Sequence, residues 1–156
     1  MTLSSLKDKG DTMVIAVAND HGGTLLKQQL VEQLLDRPGI EVLDLGVGEE
    51  SPSVDYPEYA KRVCTALFTG EAQRGILICG TGLGMSMAAN RYPGIRAALC
   101  HDEYTARLSR QHNDANVLVL GSRVTGSGVA AALLEVWLAE PFEGGRHQRR
   151  VDLMDA

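Results

Sequence analysis

Gly75-Ile76-Leu77-Ile78-Cys79-Gly80-Thr81-Gly82-Leu83-Gly84-Met85-Ser86 is the stretch on which the fold turns. An apolar run of strong strand formers meets three glycines in five positions, which reads as a buried parallel strand opening through a tight turn into a helix. Such a junction binds anions, because glycines allow close backbone approach and the amides of the turn and of the first helical turn lack partners of their own. A thiol in that field shifts toward thiolate, the form that acts as nucleophile or base. Two readings of Cys79 stand on the local sequence: a reactive group facing a ligand, or a small residue buried in a core.

Outward from this stretch, apolar β-rich runs alternate with helical patterns. Strands are expected at Val14–Ala18, Val42–Leu45, Ile76–Cys79, Ile95–Leu99 and Val117–Leu120. Helices are expected over Thr24–Leu35, Pro57–Phe68, Leu83–Asn90, from an Asp102 cap to Gln111, over Gly126–Ala139 and over Arg146–Met154. Each parallel crossover needs a helix to return the chain, so the alternation predicts one doubly wound α/β domain, Rossmann-like, with a five-stranded parallel sheet over residues 13–156. Residues 1–12 (MTLSSLKDKGDT) read as a disordered leader.

Composition narrows the function classes. The 156 residues, 44% hydrophobic, suffice for a self-sustaining core. Three widely spaced cysteines without a CxxC pair suggest neither disulfides nor zinc, and a cytoplasmic setting is expected. No apolar stretch approaches bilayer-spanning length. A net charge of -5 argues against nucleic acid, and no membrane partner is expected.

Ligands of doubly wound folds sit beyond the carboxyl ends of the strands. That rule selects Asn19-Asp20-His21-Gly22-Gly23, the Cys79 turn, His101-Asp102 and Gly121-Ser122-Arg123, and the polar run Gln111-His112-Asn113-Asp114-Ala115-Asn116 is expected to join them at one sheet edge. Each piece has a structural alternative: Asp20 as a helix cap, His112 or Asn113 as loop residues bonded to backbone. Near the C-terminus, Arg146 and Arg150 stand four apart on one helix face, where two guanidinium groups can close on a phosphate; a merely solvated basic face is the alternative. Gly144-Gly145 frees that segment to pack on a neighbouring subunit. The dinucleotide fingerprint, the cysteine-phosphatase arginine, GxSxG, the Walker lysine and HExxH are all missing. The remaining parts suit proton abstraction beside a carbonyl on a phosphorylated small molecule.

The chain also resembles the ribose-5-phosphate isomerase type B family, which includes galactose-6-phosphate isomerase subunits. The resemblance rests on Asp20-His21, the strand and turn from Ile76 to Ser86, Ser109 to Val117, Gly121-Ser122-Arg123 and Glu143 to Val151. It implies an aldose-ketose isomerase of D-ribose 5-phosphate and D-ribulose 5-phosphate, without metal or other cofactor, in a homodimer or tetramer whose active sites cross the dimer interface. By matching position it implies Cys79 as base, Thr81 and the backbone of Gly80, Gly82, Leu83 and Gly84 as holders of the enediolate, and His112, helped by Asp20, as the ring-opening group. His21, Arg123, Arg146 and Arg150 would hold the phosphate, Asn113 the sugar. A six-carbon sugar 6-phosphate such as allose or galactose 6-phosphate, and a non-catalytic sugar-phosphate binding module, are the alternatives. His101 matches none of these motifs.

Overall fold

A computed structural model describes residues 12–156. The expected leader therefore lies outside the described residues, Thr12 apart. Five strands, β1 (Met13–Asn19), β2 (Ile40–Asp44), β3 (Arg74–Cys79), β4 (Ala97–Leu99) and β5 (Val117–Gly121), form one parallel sheet in the order β2-β1-β3-β5-β4. Six helices alternate with them: α1 (Thr24–Leu35), α2 (Tyr56–Phe68), α3 (Leu83–Ala89), α4 (Glu103–Gln111), α5 (Ser127–Ala139) and α6 (Arg146–Asp155). A single 3-10 turn, His21–Gly23, precedes α1.

The expected architecture holds, and the differences lie at element ends. β4 begins at Ala97 rather than Ile95, because Arg96 is drawn out of the ladder: its amide donates to Asn116 Oδ1 and its carbonyl accepts from the Asn116 amide. Helix starts follow local chemistry. Asp102 accepts from the Thr105 amide at 2.7 Å and caps α4, and Pro57 sits in the first turn of α2, where its missing N–H costs nothing.

Both sheet faces are covered, so the central strands are apolar at successive positions. Ile15, Val17, Ile76, Ile78, Leu118 and Leu120 pack under α1 and α5 against Leu30, Leu34, Leu133 and Trp137. The alternate residues Ala16, Ala18, Leu77, Cys79, Val117 and Val119 face α2 and α3 with Val63, Met85 and Ala89. Full burial of each large aliphatic side chain contributes about 1.5–3 kcal/mol. The sheet order reverses direction between β1 and β3: the chain leaves β1 for the neighbouring edge strand β2, then crosses β1 to start β3. Ligands of such folds sit at the switch point, beyond the carboxyl ends of β1 and β3, and Asp20 and Cys79 stand at those ends.

Candidate active site

Cys79 ends β3 and is 5% exposed. The chain then folds back so that the Gly82 amide donates to Cys79 Sγ at 3.1 Å. This reversal needs a left-handed residue: Gly82 has φ +80°, and a Cβ there would stand 2.5 Å from Leu99 Cδ1. Thr81 is exposed at the lip of the turn, its Oγ1 accepting from the Leu83 amide at 3.3 Å. The turn is clamped from β5, whose successor residues donate backward: Ser122 N–H to the Cys79 carbonyl and Arg123 N–H to the Gly80 carbonyl, both at 2.9 Å. The Arg123 guanidinium consequently lies over Gly80, 3.4 Å from where a Cβ would be.

The β1 exit supplies the opposite wall. Asp20 is buried and accepts from the Gly22 amide at 2.9 Å, which caps the 3-10 turn His21–Gly23 and not α1, whose start at Gly23 has no side-chain cap; Gly22 in turn abuts the Gly80 backbone. His21 is exposed, and its Nδ1 accepts from the Val54 amide at 3.2 Å. That contact leaves the proton of neutral His21 on Nε2. Between His21 and Arg123 lies a cleft of about 420 Å³, which also takes in Gly22, Ser122, Thr125 and Ser127, where α1 and α5 begin. Thr125 Oγ1 is buried with no hydrogen-bond partner. Thus Asp20, His21, Cys79, Gly80, Thr81, Gly82, Leu83, Gly84 and Arg123 are brought together at one edge.

The expected joining of His112 and Asn113 to that edge is overturned. α4 leaves the carboxyl end of β4 and runs back along the sheet, so His112 and Asn113 emerge at the amino end of β5, where the Gly75 amide donates to the Asn116 carbonyl. α5 makes the same return, and Glu143, just ahead of α6, donates its amide to the Gln111 carbonyl. Arg146 and Arg150 are exposed on α6, which also begins at this amino edge. Within one chain, two groups of residues therefore occupy opposite ends of the sheet. His101, exposed past the carboxyl end of β4, donates its backbone amide to Thr105 Oγ1, and its side chain makes no hydrogen bond to either group among the described residues.

The amino-edge group has its own internal order. The His112 and His147 rings stack with centroids 4.1 Å apart and 12° between planes, and Glu143 Oε1 stands 3.8 Å from His112 Nε2. Burial pushes the His147 pKa below the ordinary imidazole range, and the neighbouring His112 and Arg146 push it further the same way. His112, Glu143 and His147 offer ligand atoms within 4.8 Å of one another. Imidazole lone pairs lie in the ring plane, however, and two stacked rings direct theirs along parallel planes, so one ion cannot take both without a ring turning. A cleft of about 550 Å³ lies between the α3–β4 connection and the end of α6 and reaches Asn113, not Cys79.

Two residues of these groups carry no role in the sequence reading. Tyr56 lays its ring on the Cys79 turn, with Cζ 2.5 Å from where a Gly84 Cβ would be, so the glycine there makes room for an aromatic wall. An aromatic residue at the start of a Pro-initiated helix was its only sequence signal. His147 is packed on His112, thirty-five positions away, which no local pattern reveals.

The residues and their arrangement match one family. The model of the Ribose/Galactose Isomerase family matches residues 15–154. The chain belongs to that family. Among its relatives, ribose-5-phosphate isomerase B of Escherichia coli is 51% identical over 142 residues, covering 91% of this chain and 94% of that protein. Ribose-5-P isomerase B of Listeria innocua is 44% identical, covering 92% and 95%. Among solved structures, ribose-5-phosphate isomerase B of Clostridium thermocellum superposes with a TM-score of 0.86 at 50% identity, over 92% of this chain and 95% of that one. The type B enzyme of Trypanosoma brucei gives 0.87 at 43% identity, over 92% and 97%. No helix among the described residues is long and apolar enough to cross a membrane.

Proposed function

We propose that this family member interconverts D-ribose 5-phosphate and D-ribulose 5-phosphate through an enediolate, with Cys79 as the base. The observation that carries the reading is Cys79 Sγ in the grip of the Gly82 amide, on a turn whose Gly80 lies against Gly22 and the Arg123 guanidinium, beside the cleft that His21 and Arg123 line. Identity of 44–51% to proteins named as ribose-5-phosphate isomerases B supports the pentose phosphate.

In the open-chain aldose, Cys79 takes the hydrogen of carbon 2 as a proton. The C–H electrons become the carbon 1–carbon 2 double bond, and negative charge moves onto the carbonyl oxygen. Thr81 and the amides of the Gly80–Gly84 turn meet that oxygen; a preorganised donor is worth about 3–4 kcal/mol in the transition state. Return of the proton to carbon 1, with transfer of the carbon 2 hydroxyl proton to the carbon 1 oxygen, completes the ketose. Phosphate held by His21 and Arg123 fixes the reacting carbons against Cys79.

The opposite placement of the two residue groups favours a shared site in a homodimer. His112, Asn113, Arg146 and Arg150 of one chain would enter the crevice of a second copy, where His112 gives and takes the ring-oxygen proton and the two arginines complete the phosphate grip. His112 is partly exposed and both arginines are exposed, without ion-pair partners among the described residues, so they are free to serve a neighbour.

Incubation with ribose 5-phosphate in deuterated water, followed by NMR, tests the reading. Ketose formation with deuterium at carbon 1 or 2 is expected. Binding without exchange would leave a sugar-phosphate binding module, and higher kcat/KM on allose or galactose 6-phosphate would move the assignment to the six-carbon substrates.

A further inference from the structure

Asn19 ends β1 with no exposure at all, yet every polar atom of its side chain is engaged. Its Oδ1 accepts from the Val47 amide at 3.1 Å, and its Nδ2 donates to the Val47 carbonyl at 3.2 Å, to the Asp20 carbonyl at 2.8 Å and to Thr24 Oγ1 at 3.3 Å. The carboxamide thus reproduces one rung of a strand ladder where β2 has already ended, since β2 stops at Asp44.

The segment it holds is unusual. Residues 45–55 form an eleven-residue connection without regular structure, whereas crossover loops of such folds run about 2–6 residues. The loop is tied at its start, where the Leu45 amide donates to Val17, the Leu45 carbonyl accepts from Arg62 and the Gly46 amide donates to Asp44 Oδ1; from there to Val54, its hydrogen bonds to distant parts of the described chain are those of Val47 with Asn19. At its far end the loop donates Val54 N–H to His21 Nδ1 and delivers Tyr56 onto Gly84. Gly46 closes the fit: a Cβ there would overlap Asn19 Oδ1 and press on the Asn19 amide.

We infer that Asn19 is a positioning residue, whose pairing with Val47 pins the 45–55 loop so that Val54 locks His21 as the Nε2–H tautomer facing the ligand. Asn19 meets no ligand itself. Loss of the pin lengthens the free loop, which costs ordering entropy each time Val54 finds His21, and a ligand group displaced by about 1 Å can lose on the order of a hundredfold in efficiency. The kinetic part of this inference rests on the reading of His21 as a phosphate ligand; the tautomer part does not.

Asn19→Ala removes the pin from one side and Gly46→Ala displaces it from the other, where an added Cβ would overlap Asn19 Oδ1; circular dichroism establishes that each variant read is folded. Nitrogen-15 NMR of the imidazoles, assigned with His21→Gln, is expected to show a single Nε2–H form of His21 in the wild type and a tautomer mixture in both variants. KM for ribose 5-phosphate is expected to rise about tenfold or more with kcat within about threefold. Retention of the single tautomer in a folded variant would overturn the inference, as would kcat falling with KM unchanged. A wild type that does not turn over ribose 5-phosphate would defeat the proposed reaction instead, and the tautomer result would still decide the role of Asn19.

Discussion

Cys79 and His112 stand at opposite ends of the same sheet. Cys79 closes β3 at its carboxyl end, in register with Gly121, whereas His112 precedes the amino end of β5, in register with Gly75. Four strand steps of about 3.3 Å put roughly 13 Å of packed sheet between the two levels. A reaction that uses both groups therefore needs two chains.

Subunit mixing makes that requirement measurable. If the proposed shared site holds, Cys79→Ala and His112→Ala are each expected to lose nearly all activity as homodimers. Unfolded together and refolded as a mixture, half the dimers are mixed and each mixed dimer has one intact site of two, giving about a quarter of wild-type activity for an isologous pair. No recovery in a refolded mixture would place both groups in the same subunit's site or outside the chemistry.

Cys79→Ala is expected to lower kcat by about 10²- to 10⁴-fold, the range for loss of a positioned proton-transfer group, while sugar-phosphate binding still raises Tm. Native thiol labelling provides the companion measurement. Cys64 and Cys100 are 2% and 1% exposed, and burial pushes the Cys64 thiol up to about 11 and the Cys100 thiol in the same direction. At most one thiol per chain is expected to react near neutral pH, with bound sugar phosphate protecting it; mass spectrometry of the labelled protein identifies it.

Gly82→Ala tests the turn rather than the thiol. A left-handed alanine costs roughly 1–2 kcal/mol, and its Cβ would stand 2.5 Å from Leu99 Cδ1. Both the Gly82–Sγ contact and the path of the Cys79–Gly84 turn shift with it. Expected are a Tm lowered by several degrees and a kcat loss far larger than that destabilisation explains, read by calorimetry and steady-state kinetics.

The His147 pKa, held below its ordinary 6.5, gives a signed pH prediction. The folded chain binds this proton more weakly than the unfolded chain, so the contribution is undiminished above the ordinary value and stability falls as pH drops through it, levelling off below the folded value. His112, Arg146 and Arg150 disfavour the charged form and Glu143 favours it. The drop in Tm between pH 7.5 and pH 5.5 is therefore expected to shrink in His147→Gln; an unchanged drop would mean that other groups set it.

The sequence by itself determined the parallel α/β framework, the position of every strand to within about two residues, the Cys79–Gly84 turn and the family. These features are local: strand preference, glycine spacing and capping side chains act within a few residues, and the apolar runs of β3 and β5 leave both faces needing cover. The tertiary structure alone decided which polar residues meet. Helices α4 and α5 return the chain across the sheet, which carries His112, Arg146 and Arg150 away from Cys79, while His147 reaches His112 and Tyr56 reaches Gly84 through loops of no regular pattern. Asn19 shows why: its partner at Val47 is twenty-eight positions on, chosen by where β2 stops and not by any spacing that the chain displays.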